Sequence, residues 1–318
     1  MTERARVAVV GATGYTGGEL LRWLVGHPRV EVVGATARAR AGERLADVWP
    51  QFYGNELVLS AEPPPADVVF LCTPHAEAHA LATRLEAACI VDLSGAHRLD
   101  DAAHAAHYGF PRAGGPWVYG LPELGVERVR GVARIANPGC FATALALALL
   151  PLRARLPARV PIVGITGSTG SGAAPKDTTH HPVRAENVRP YKVLDHQHVP
   201  EVEQAIGGGV RVDFVPMSGP YRRGILVTAT LPSFAAGEWE SFYAGNPLVR
   251  VRRAPPELLH VLGGPRADVG VIEGDGVTVA MCAIDNLCRG AATQAIVNMN
   301  LHFGWPMTLG LDRVAPVP

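Results

Sequence analysis

Short apolar runs alternate with segments of helical spacing over the first 140 residues. The apolar runs, each short enough to be a buried strand, cover residues 6–10, 31–36, 67–72, 90–93 and 133–136. Residues 19–25, which follow the first run, carry Leu and Trp at helical spacing. Strands that alternate with helices predict an α/β domain with a parallel sheet.

After residue 140 the pattern changes. An unbroken Ala/Leu segment predicts a helix over residues 141–152. Short apolar runs then follow at residues 160–166, 210–215, 225–231, 248–252, 269–273 and 277–284. The last two are joined by Gly274-Asp275-Gly276, which predicts a β-hairpin. A strand-rich block without regular alternation predicts an α+β domain with a mixed sheet.

These patterns predict two domains. We expect a Rossmann-type nucleotide-binding domain over residues 1–140, a second domain over residues 141–287 and a C-terminal helical segment over residues 288–318. A length of 318 residues with 48% hydrophobic residues is enough for two cores.

A glycine-rich segment, Gly11-Ala12-Thr13-Gly14-Tyr15-Thr16-Gly17, joins the first predicted strand to the first predicted helix. In this context glycines let the backbone approach a pyrophosphate, which rests on the helix N-terminus. The sequence therefore predicts a dinucleotide site rather than a glycine-rich turn without a ligand. The expected contacts are Gly11, Thr13, Gly14, Tyr15, Thr16 and Gly17.

The end of the second predicted strand indicates which dinucleotide binds. A carboxylate there would bind the ribose 2′-hydroxyl of NAD, but Thr36 is followed by Arg38 and Arg40 and by no acid. Arginine suits a 2′-phosphate, so we predict NADP, with Arg38 as the contact. The alternative is that both arginines are only solvated.

The loop after the fourth predicted strand should line the ligand crevice, because ligands bind at the carboxyl ends of parallel strands. This places Ser94 near the reacting end of the cofactor and Arg98 where it could bind a phosphate group. The alternative for Arg98 is a surface ion pair with Asp100 or Asp101.

Cys140 lies where the strand over residues 133–136 passes through Asn137-Pro138-Gly139 into the Ala/Leu helix. A helix N-terminus stabilises a thiolate and offers N–H groups to an oxyanion. We therefore interpret Cys140 as a nucleophile rather than a structural cysteine. The five cysteines form no C-x-x-C pair, so we expect reduced thiols.

His196 and His198 are the candidate acid/base residues, because imidazole titrates near neutral pH. They are two residues apart and share a face only in an extended segment, and we prefer His196. Hydrogen bonding within the loop is the alternative role for both. Zinc binding with Asp195 and Glu201 is a weaker alternative, because no Cys/His cluster completes a tetrahedral set, and we expect no metal.

Charge and hydropathy exclude several classes of function. The 29 basic and 29 acidic residues cancel, which argues against binding to nucleic acid or an anionic membrane. No signal segment or transmembrane run is visible, so we expect a soluble, cytoplasmic protein. Only Lys176 and Lys192 are lysines, which leaves 27 arginines and indicates a genome-composition bias.

Four segments together resemble the N-acetyl-gamma-glutamyl-phosphate reductase family of the aspartate-semialdehyde dehydrogenase superfamily. They are the glycine loop, Asn137-Pro138-Gly139-Cys140-Phe141-Ala142-Thr143, His196-Gln197-His198-Val199-Pro200-Glu201 and Ile284-Asp285-Asn286-Leu287. The resemblance implies NADPH-dependent reduction of an acyl phosphate to a semialdehyde through a cysteine thioester. It implies Cys140 as nucleophile, His196 as acid/base and Asn286 near the nicotinamide. It also implies that the C-terminal segment, residues 288–318, completes the first domain, and that residues 141–287 form a catalytic and oligomerisation domain through which a homodimer or homotetramer assembles.

Two departures from the family bear on the substrate. Gln197 stands where many members carry Arg, and the loop after Thr166 reads Gly-Ser-Thr-Gly-Ser-Gly-Ala-Ala. We expect free N-acetylglutamyl phosphate, with inorganic phosphate as the co-product. The residues expected near the cofactor or substrate in this domain are Ser168, Gly170, Lys192, Glu201 and Arg223.

Two alternative functions remain at this point. One is a sister branch of lysine biosynthesis, which reduces 2-aminoadipyl phosphate bound to an acidic carrier protein. The other is a non-enzymatic NADP-sensing regulator, which would not need a thiolate at Cys140.

Overall fold

The structure is a computed structural model that describes residues 4–312 and 314–317. Its strands are β1 Ala5–Val10, β2 Val30–Thr36, β3 Val68–Leu71, β4 Cys89–Asp92, β5 Val118–Tyr119, β6 Arg134–Ala136, β7 Arg159–Thr166, β8 Arg189–Pro190, β9 Arg211–Ser218, β10 Ile225–Pro232, β11 Val249–Arg252, β12 Ala267–Gly274 and β13 Val277–Ile284. Its α-helices are α1 Tyr15–Leu24, α2 Leu45–Val48, α3 His75–Ala82, α4 Asp101–Tyr108, α5 Cys140–Leu149, α6 His181–Arg184, α7 Val199–Ala205, α8 Gly237–Phe242 and α9 Thr293–His302.

The chain forms two compact units. The first contains residues up to Pro138 together with 291–312, and the second contains residues 139–290 together with the described residues 314–317. The sequence prediction placed the boundaries at 140 and 287 and assigned everything from 288 onward to the first domain. Cys140 and residues 288–290 instead belong to the second unit.

The first unit contains a six-stranded sheet in the order β2-β1-β3-β4-β6-β5, and every pairing in it is parallel. Strands β3 and β4 are buried along their whole length, as expected for a parallel sheet covered on both faces. The polar and functional segments of this unit therefore lie in the loops after the strands.

The second unit contains a seven-stranded sheet in the order β11-β12-β13-β10-β7-β9-β8. The pairs β11/β12 and β7/β9 are parallel and the others are antiparallel, so the sheet is mixed. Strands β12 and β13 form the predicted hairpin. The predicted fold class, a Rossmann-type domain followed by an α+β domain with a mixed sheet, is confirmed.

Helix α5 packs against β10 and β13 in the core of the second unit. All of its residues from Phe141 to Leu149 are buried, because its Ala and Leu side chains make it apolar on every face. Two aromatic side chains of the α8 region satisfy carbonyl groups at its C-terminal end. Trp239 Nε1 donates to Ala148 O at 2.9 Å, and the Tyr243 hydroxyl donates to Leu147 O at 2.6 Å.

The helices differ from the sequence prediction in three respects. The C-terminal helical segment predicted over residues 288–318 begins as a π-helix, Cys288–Ala292, and its α-helix, α9, ends at His302. The helix predicted over 141–152 ends at Leu149 and continues as a 3-10 turn, Leu150–Leu152, because Pro151 interrupts it. The sequence prediction did not include α2, α3, α6 or α8. Among the described residues, no helix is both long and apolar enough to cross a membrane.

Candidate active site

The glycine loop of the first unit lines a cleft of about 390 Å³, here called the glycine-loop cleft. Gly11 has φ +89°, and a Cβ at this position would lie 2.6 Å from the carbonyl oxygen of Cys72. A Cβ on Gly17 would overlap the carbonyl oxygen of Gly11 and lie 2.9 Å from the Cα of Ala12. Glycine at position 11 therefore lets the loop lie directly against the end of β3, and glycine at position 17 lets the start of α1 pack on the residues that follow β1.

The N-terminus of α1 has the features of an anion site. Its N-cap, Gly14, forms no side-chain capping bond, and its first turn, which begins at Tyr15 and Thr16, contains no acidic residue. The first N–H groups of a helix have no partner within the helix, so they can bind phosphate oxygens. Thr13 lines the cleft beside this helix end. These residues fit the pyrophosphate of a dinucleotide.

Arg38 and Arg40 also line the glycine-loop cleft. Arg40 is bound to Glu43, with Nε–Oε2 and Nε–Oε1 distances of 2.9 and 3.0 Å. Arg38 is 3.3 Å from Glu77 and 3.9 Å from Glu62, and its side chain is 59% exposed. Exposed ion pairs of this kind contribute little to stability, so Arg38 can exchange them for a phosphate group.

Ser94 and Arg98 follow β4 and are both buried. Ser94 Oγ accepts from the N–H of Ala96 at 3.1 Å. Arg98 donates from Nε to Asn137 O and from Nη2 to Leu93 O, both at 2.7 Å. Arg98 therefore supports the ends of two strands of the first unit, and these contacts favour neither phosphate binding nor the surface ion pair considered from the sequence.

In the second unit, Cys140 is the first residue of α5 and is partly exposed. Gly139 precedes it as the N-cap, and its N–H donates to Glu201 Oε2 at 3.0 Å. The carbonyl oxygen of Gly139 accepts from the N–H and the hydroxyl of Thr143 at 2.8 and 3.1 Å. The residue immediately before the nucleophile is thus fixed by hydrogen bonds to both its N–H and its carbonyl group.

His198 lies against this backbone. A Cβ on Gly139 would lie 2.6 Å from His198 Cδ2 and closer still to Nε2. Glu201 Oε1 is 3.9 Å from His198 Nε2, and Glu201 itself is 1% exposed. One buried carboxylate therefore contacts both the imidazole and the N-cap of α5. These contacts are those expected of a positioning residue, and the substrate contact expected of Glu201 from the sequence stays a prediction.

His196 occupies a different environment. Its ring is 3% exposed and packs edge-on against Phe141 and Phe214, with centroid distances of 5.4 and 5.6 Å. Its Nδ1 accepts from the N–H of His198 at 3.2 Å. Burial, aided by His198 and Lys192, lowers the pKa of His196 to about 3. At neutral pH His196 is therefore a neutral ring, which makes it a poor proton donor.

A cleft of about 280 Å³ opens at the thiol and is here called the Cys140 cleft. Its side chains include Cys140, His196, His198, Tyr191, Lys192, Gln197, Lys176, Thr178, Arg189 and Ser218. Lys192 donates from Nζ to Gln197 Oε1 at 2.8 Å. Burial first and the neighbouring Cys140 second raise the pKa of Tyr191 well above its usual range, so this hydroxyl stays protonated beside the thiol.

The loop after β7 forms another part of this cleft. Gly170 lines it, while Ser168 donates from its N–H to Tyr221 O at 2.9 Å. Asn286 donates from Nδ2 to Thr169 Oγ1 at 3.0 Å and accepts from the N–H of Gly224 at 2.7 Å. Asn286 thus fixes this loop within the second unit, and its expected proximity to the nicotinamide stays a prediction.

Arg223 forms a two-point ion pair with Asp285, with Nε–Oδ2 and Nη2–Oδ1 distances of 2.7 and 2.9 Å. Asp285 is fully buried and also accepts from the N–H of Gly263, Leu287 and Cys288. These contacts hold Arg223 to the buried Asp285, and the substrate-binding role expected from the sequence stays a prediction.

Several residues of the Cys140 cleft were not singled out from the sequence. They are Thr166, Lys176, Thr178, Arg189, Tyr191 and Ser218. The position of Tyr191 in the segment that contains both histidines was a usable signal. The others lie in the irregular segment 173–190 or at strand ends, and only the strand order brings them to the thiol. In the described part of the chain, no group of three or more His, Cys, Asp and Glu side chains could hold a metal ion.

Comparisons with known proteins agree with this geometry. Residues 6–132 match the model of the semialdehyde dehydrogenase NAD binding domain, and residues 140–286 match that of the semialdehyde dehydrogenase dimerisation domain. The chain is 42% identical to N-acetyl-gamma-glutamyl-phosphate reductase of Salinispora tropica, over 96% of this chain and 97% of the relative. It is 40% identical to the protein of the same name from Methanopyrus kandleri, over 96% and 98%.

Among solved structures, aspartate semialdehyde dehydrogenase II of Vibrio cholerae superposes with a TM-score of 0.74 at 16% sequence identity. The superposition covers 94% of this chain and 98% of the other. At this identity the likeness concerns the fold alone.

Proposed function

This chain belongs to the N-acetyl-gamma-glutamyl-phosphate reductase family, and on that premise we propose that it reduces N-acetyl-L-glutamyl 5-phosphate to N-acetyl-L-glutamate 5-semialdehyde. The reaction releases phosphate, uses NADPH and is a step of arginine biosynthesis. The observation that carries this proposal is the arrangement at the start of α5. There the Cys140 thiol, the His198 ring and the buried Glu201 carboxylate converge on Gly139.

Cys140 is the nucleophile in this proposal. Its sulfur forms a bond to the acyl carbon, and the tetrahedral intermediate then breaks its carbon–oxygen bond to phosphate, which leaves a thioester. The N–H groups in the first turn of α5 lie at the same helix end as Sγ and are suited to stabilise the oxyanion. Tyr191, which stays protonated, is a further hydrogen-bond donor beside the thiol.

We assign the acid/base role to His198 and not to His196, the residue preferred from the sequence. The reaction takes up one proton, and the departing phosphate oxygen is the group that needs it. His198 lies against Gly139, which adjoins the thiol, and its Nε2 is 3.9 Å from the carboxylate of Glu201. His196 has a pKa of about 3. Its Nδ1 instead accepts a hydrogen bond from the backbone N–H of His198 and so orients that residue.

The glycine-loop cleft is the proposed NADPH site. When bound, this cofactor supplies the hydride that reduces the thioester carbon. Gly11, Gly14 and Gly17 leave room for the pyrophosphate at the start of α1, and Arg38 is the candidate contact of the 2′-phosphate. The match of residues 140–286 to a dimerisation domain supports a homo-oligomer, which we propose to be a dimer or tetramer.

The test is turnover of purified protein in the reverse direction, with N-acetylglutamate 5-semialdehyde, phosphate and NADP. We expect steady NADPH formation that depends on phosphate, with no carrier protein added. A parallel reaction contains carrier-linked aminoadipate semialdehyde in place of N-acetylglutamate 5-semialdehyde. Activity confined to that compound would refute the proposed substrate, and no activity with either aldehyde would refute the proposed enzyme.

A further inference from the structure

The Cys140 cleft has an unusual charge composition. Three of its lining side chains are cationic, namely Lys176, Arg189 and Lys192. Among the described residues that line it, none is Asp or Glu. The nearby carboxylate of Glu201 is buried and contacts Gly139 and His198. The cleft therefore attracts anionic groups and offers no counter-charge to a cationic one.

Both lysines of a chain that otherwise contains 27 arginines line this cleft. Their ammonium groups are anchored on different segments. Lys192 Nζ is bonded to Gln197, which lies between the two histidines, whereas Lys176 Nζ donates to Ser171 O at 2.9 Å. Each bond uses one of three ammonium donors, so both groups retain donors for a ligand.

Lys192 belongs to the catalytic end of the cleft. Its charge is close enough to lower the pKa of His196, and its backbone is held at φ +44°, a conformation that non-glycine residues rarely adopt. This position suits the phosphate group, whose leaving oxygen is the proton acceptor. Lys176, on the segment 171–178, and Arg189 are then the cations left for a second anionic group of the substrate. Of these two we choose Lys176, because the structure anchors its ammonium group on Ser171 O.

We propose that Lys176 binds the α-carboxylate of the substrate, and that the cleft rejects a free α-amino group because no carboxylate is present to pair with it. This inference rests on the proposed function. An N-acetyl group makes the amino nitrogen neutral, so an acylated amino acid presents only anions to the three cations. A free amino acid presents an ammonium group that Lys176 repels.

Competitive inhibitors that are not converted can separate the contribution of the α-carboxylate from that of the acylated amino group. N-acetyl-L-glutamate, 4-acetamidobutanoate and L-glutamate share one side-chain carboxylate and differ in the α-carboxylate or in acylation. In the unmutated protein we expect 4-acetamidobutanoate to bind about 10- to 100-fold more weakly than N-acetyl-L-glutamate, the usual effect of a charge-assisted hydrogen bond. L-Glutamate should also bind at least about 10-fold more weakly.

The variants test whether Lys176 is responsible. The contribution of the α-carboxylate is measured by the ratio of the inhibition constant of 4-acetamidobutanoate to that of N-acetyl-L-glutamate. In Lys176→Met this ratio should fall to about one, and in Lys176→Arg it should return towards the value of the unmutated protein. Arg211→Met removes an exposed charge of the same unit outside the cleft and should leave the ratio unchanged.

Two outcomes overturn the inference while the proposed function stands. One is an unchanged α-carboxylate ratio in Lys176→Met, and the other is equal inhibition by L-glutamate and N-acetyl-L-glutamate. Both are measured against turnover of N-acetylglutamate 5-semialdehyde by the unmutated protein. If that turnover is absent, it is the proposed function that fails.

Discussion

The imidazole of His198 occupies the space where a side chain on Gly139 would begin. A Cβ at Gly139 would lie 2.6 Å from His198 Cδ2 and nearer still to Nε2. The residue before the nucleophile must therefore lack a side chain, although its backbone is an ordinary extended N-cap with φ −69°. The requirement for glycine here comes from the neighbouring ring and not from backbone strain.

Gly139→Ala should therefore displace His198 and impair the reaction. We expect kcat to fall about 10²- to 10⁴-fold, the usual contribution of general acid/base catalysis, with a smaller change in NADPH affinity. Gly237→Ala is the matched control, because a Cβ at that position, the first residue of α8, has nothing within 4 Å. Near-normal kcat in Gly139→Ala would show that His198 is not the acid.

Cys140→Ser should abolish both the reduction and its phosphate-dependent reverse. A serine hydroxyl is a much weaker nucleophile than a thiolate, so we expect less than about 1% of the normal rate. NADPH binding, followed by fluorescence, should persist because the glycine-loop cleft lies within the other unit. Cys282→Ser, at a buried cysteine of β13, is the control for loss of a thiol. Substantial residual activity in Cys140→Ser would exclude the thioester route.

Arg38→Ala should weaken the preference for NADPH over NADH. Arg38 lines the cleft and forms ion pairs with the exposed carboxylates Glu62 and Glu77, which a 2′-phosphate would outcompete. We expect kcat/KM for NADPH to fall about 10-fold or more while that for NADH changes little. Arg44→Ala, which removes an exposed pair with Glu56, should leave both values unchanged. Equal use of both cofactors by the unmutated protein would contradict the assignment.

Arg223→Ala should reduce stability more than substrate affinity. The change leaves the fully buried Asp285 without its two-point partner, and breaking such a pair costs about 3–5 kcal/mol. Urea unfolding measures the loss, and KM for the semialdehyde is measured on the remaining folded protein. Arg159→Ala breaks an exposed pair with Asp213 and should cost less than about 1 kcal/mol. A large rise in KM with unchanged stability would return Arg223 to the substrate site.

The pKa of His196 predicts how stability depends on pH. Burial lowers this pKa to about 3, whereas an unfolded histidine titrates near 6.5. Between these values the unfolded chain binds a proton that the folded protein does not, so stability falls as the pH drops below about 6.5. The slope from this one group is at most about 1.4 kcal/mol per pH unit.

His196→Asn should flatten that dependence, because its side-chain oxygen can replace Nδ1 as the acceptor of the His198 N–H without titrating. The measurement is urea unfolding at pH 8, 6 and 5 for both proteins, compared as differences because other buried histidines also contribute. Parallel stability curves for the two proteins would mean that the pKa of His196 is the same in the folded and unfolded states, which would contradict its lowering by burial.

Periodicity alone predicted most of the strands, because β-strands of a buried sheet are continuous apolar runs. The β12/β13 hairpin and the β1–α1 junction were both predicted, because glycine adopts the tight-turn conformations that other residues avoid. Helices α2, α3, α6 and α8 were missed because they are short and their stability comes from packing. For α8, the packing partner is the C-terminal end of α5.

Residues of the candidate site could be predicted only where their neighbours in sequence indicate their chemical role. Cys140, His196 and His198 could be selected from their neighbours, but their ranking required knowledge of burial. Glu201 and Arg98 show the same limit. Their charges suggested ligand contacts, whereas Glu201 holds a backbone N–H and Arg98 holds two carbonyl groups. Partners distant in sequence decide such roles, and residue type does not reveal them.

The hydrogen bond from Gly139 to Glu201 also has a consequence for the order of folding. Its two residues are 62 positions apart, so the nucleophile and its helix leave the ribosome well before the carboxylate and His198. The hydrogen bonds within α5 join neighbouring residues, whereas the loop that returns α7 to its first turn must close over a much longer separation and does so more slowly. On refolding, recovery of activity should therefore lag behind recovery of helical circular dichroism, with the thiol alkylated fastest during the interval.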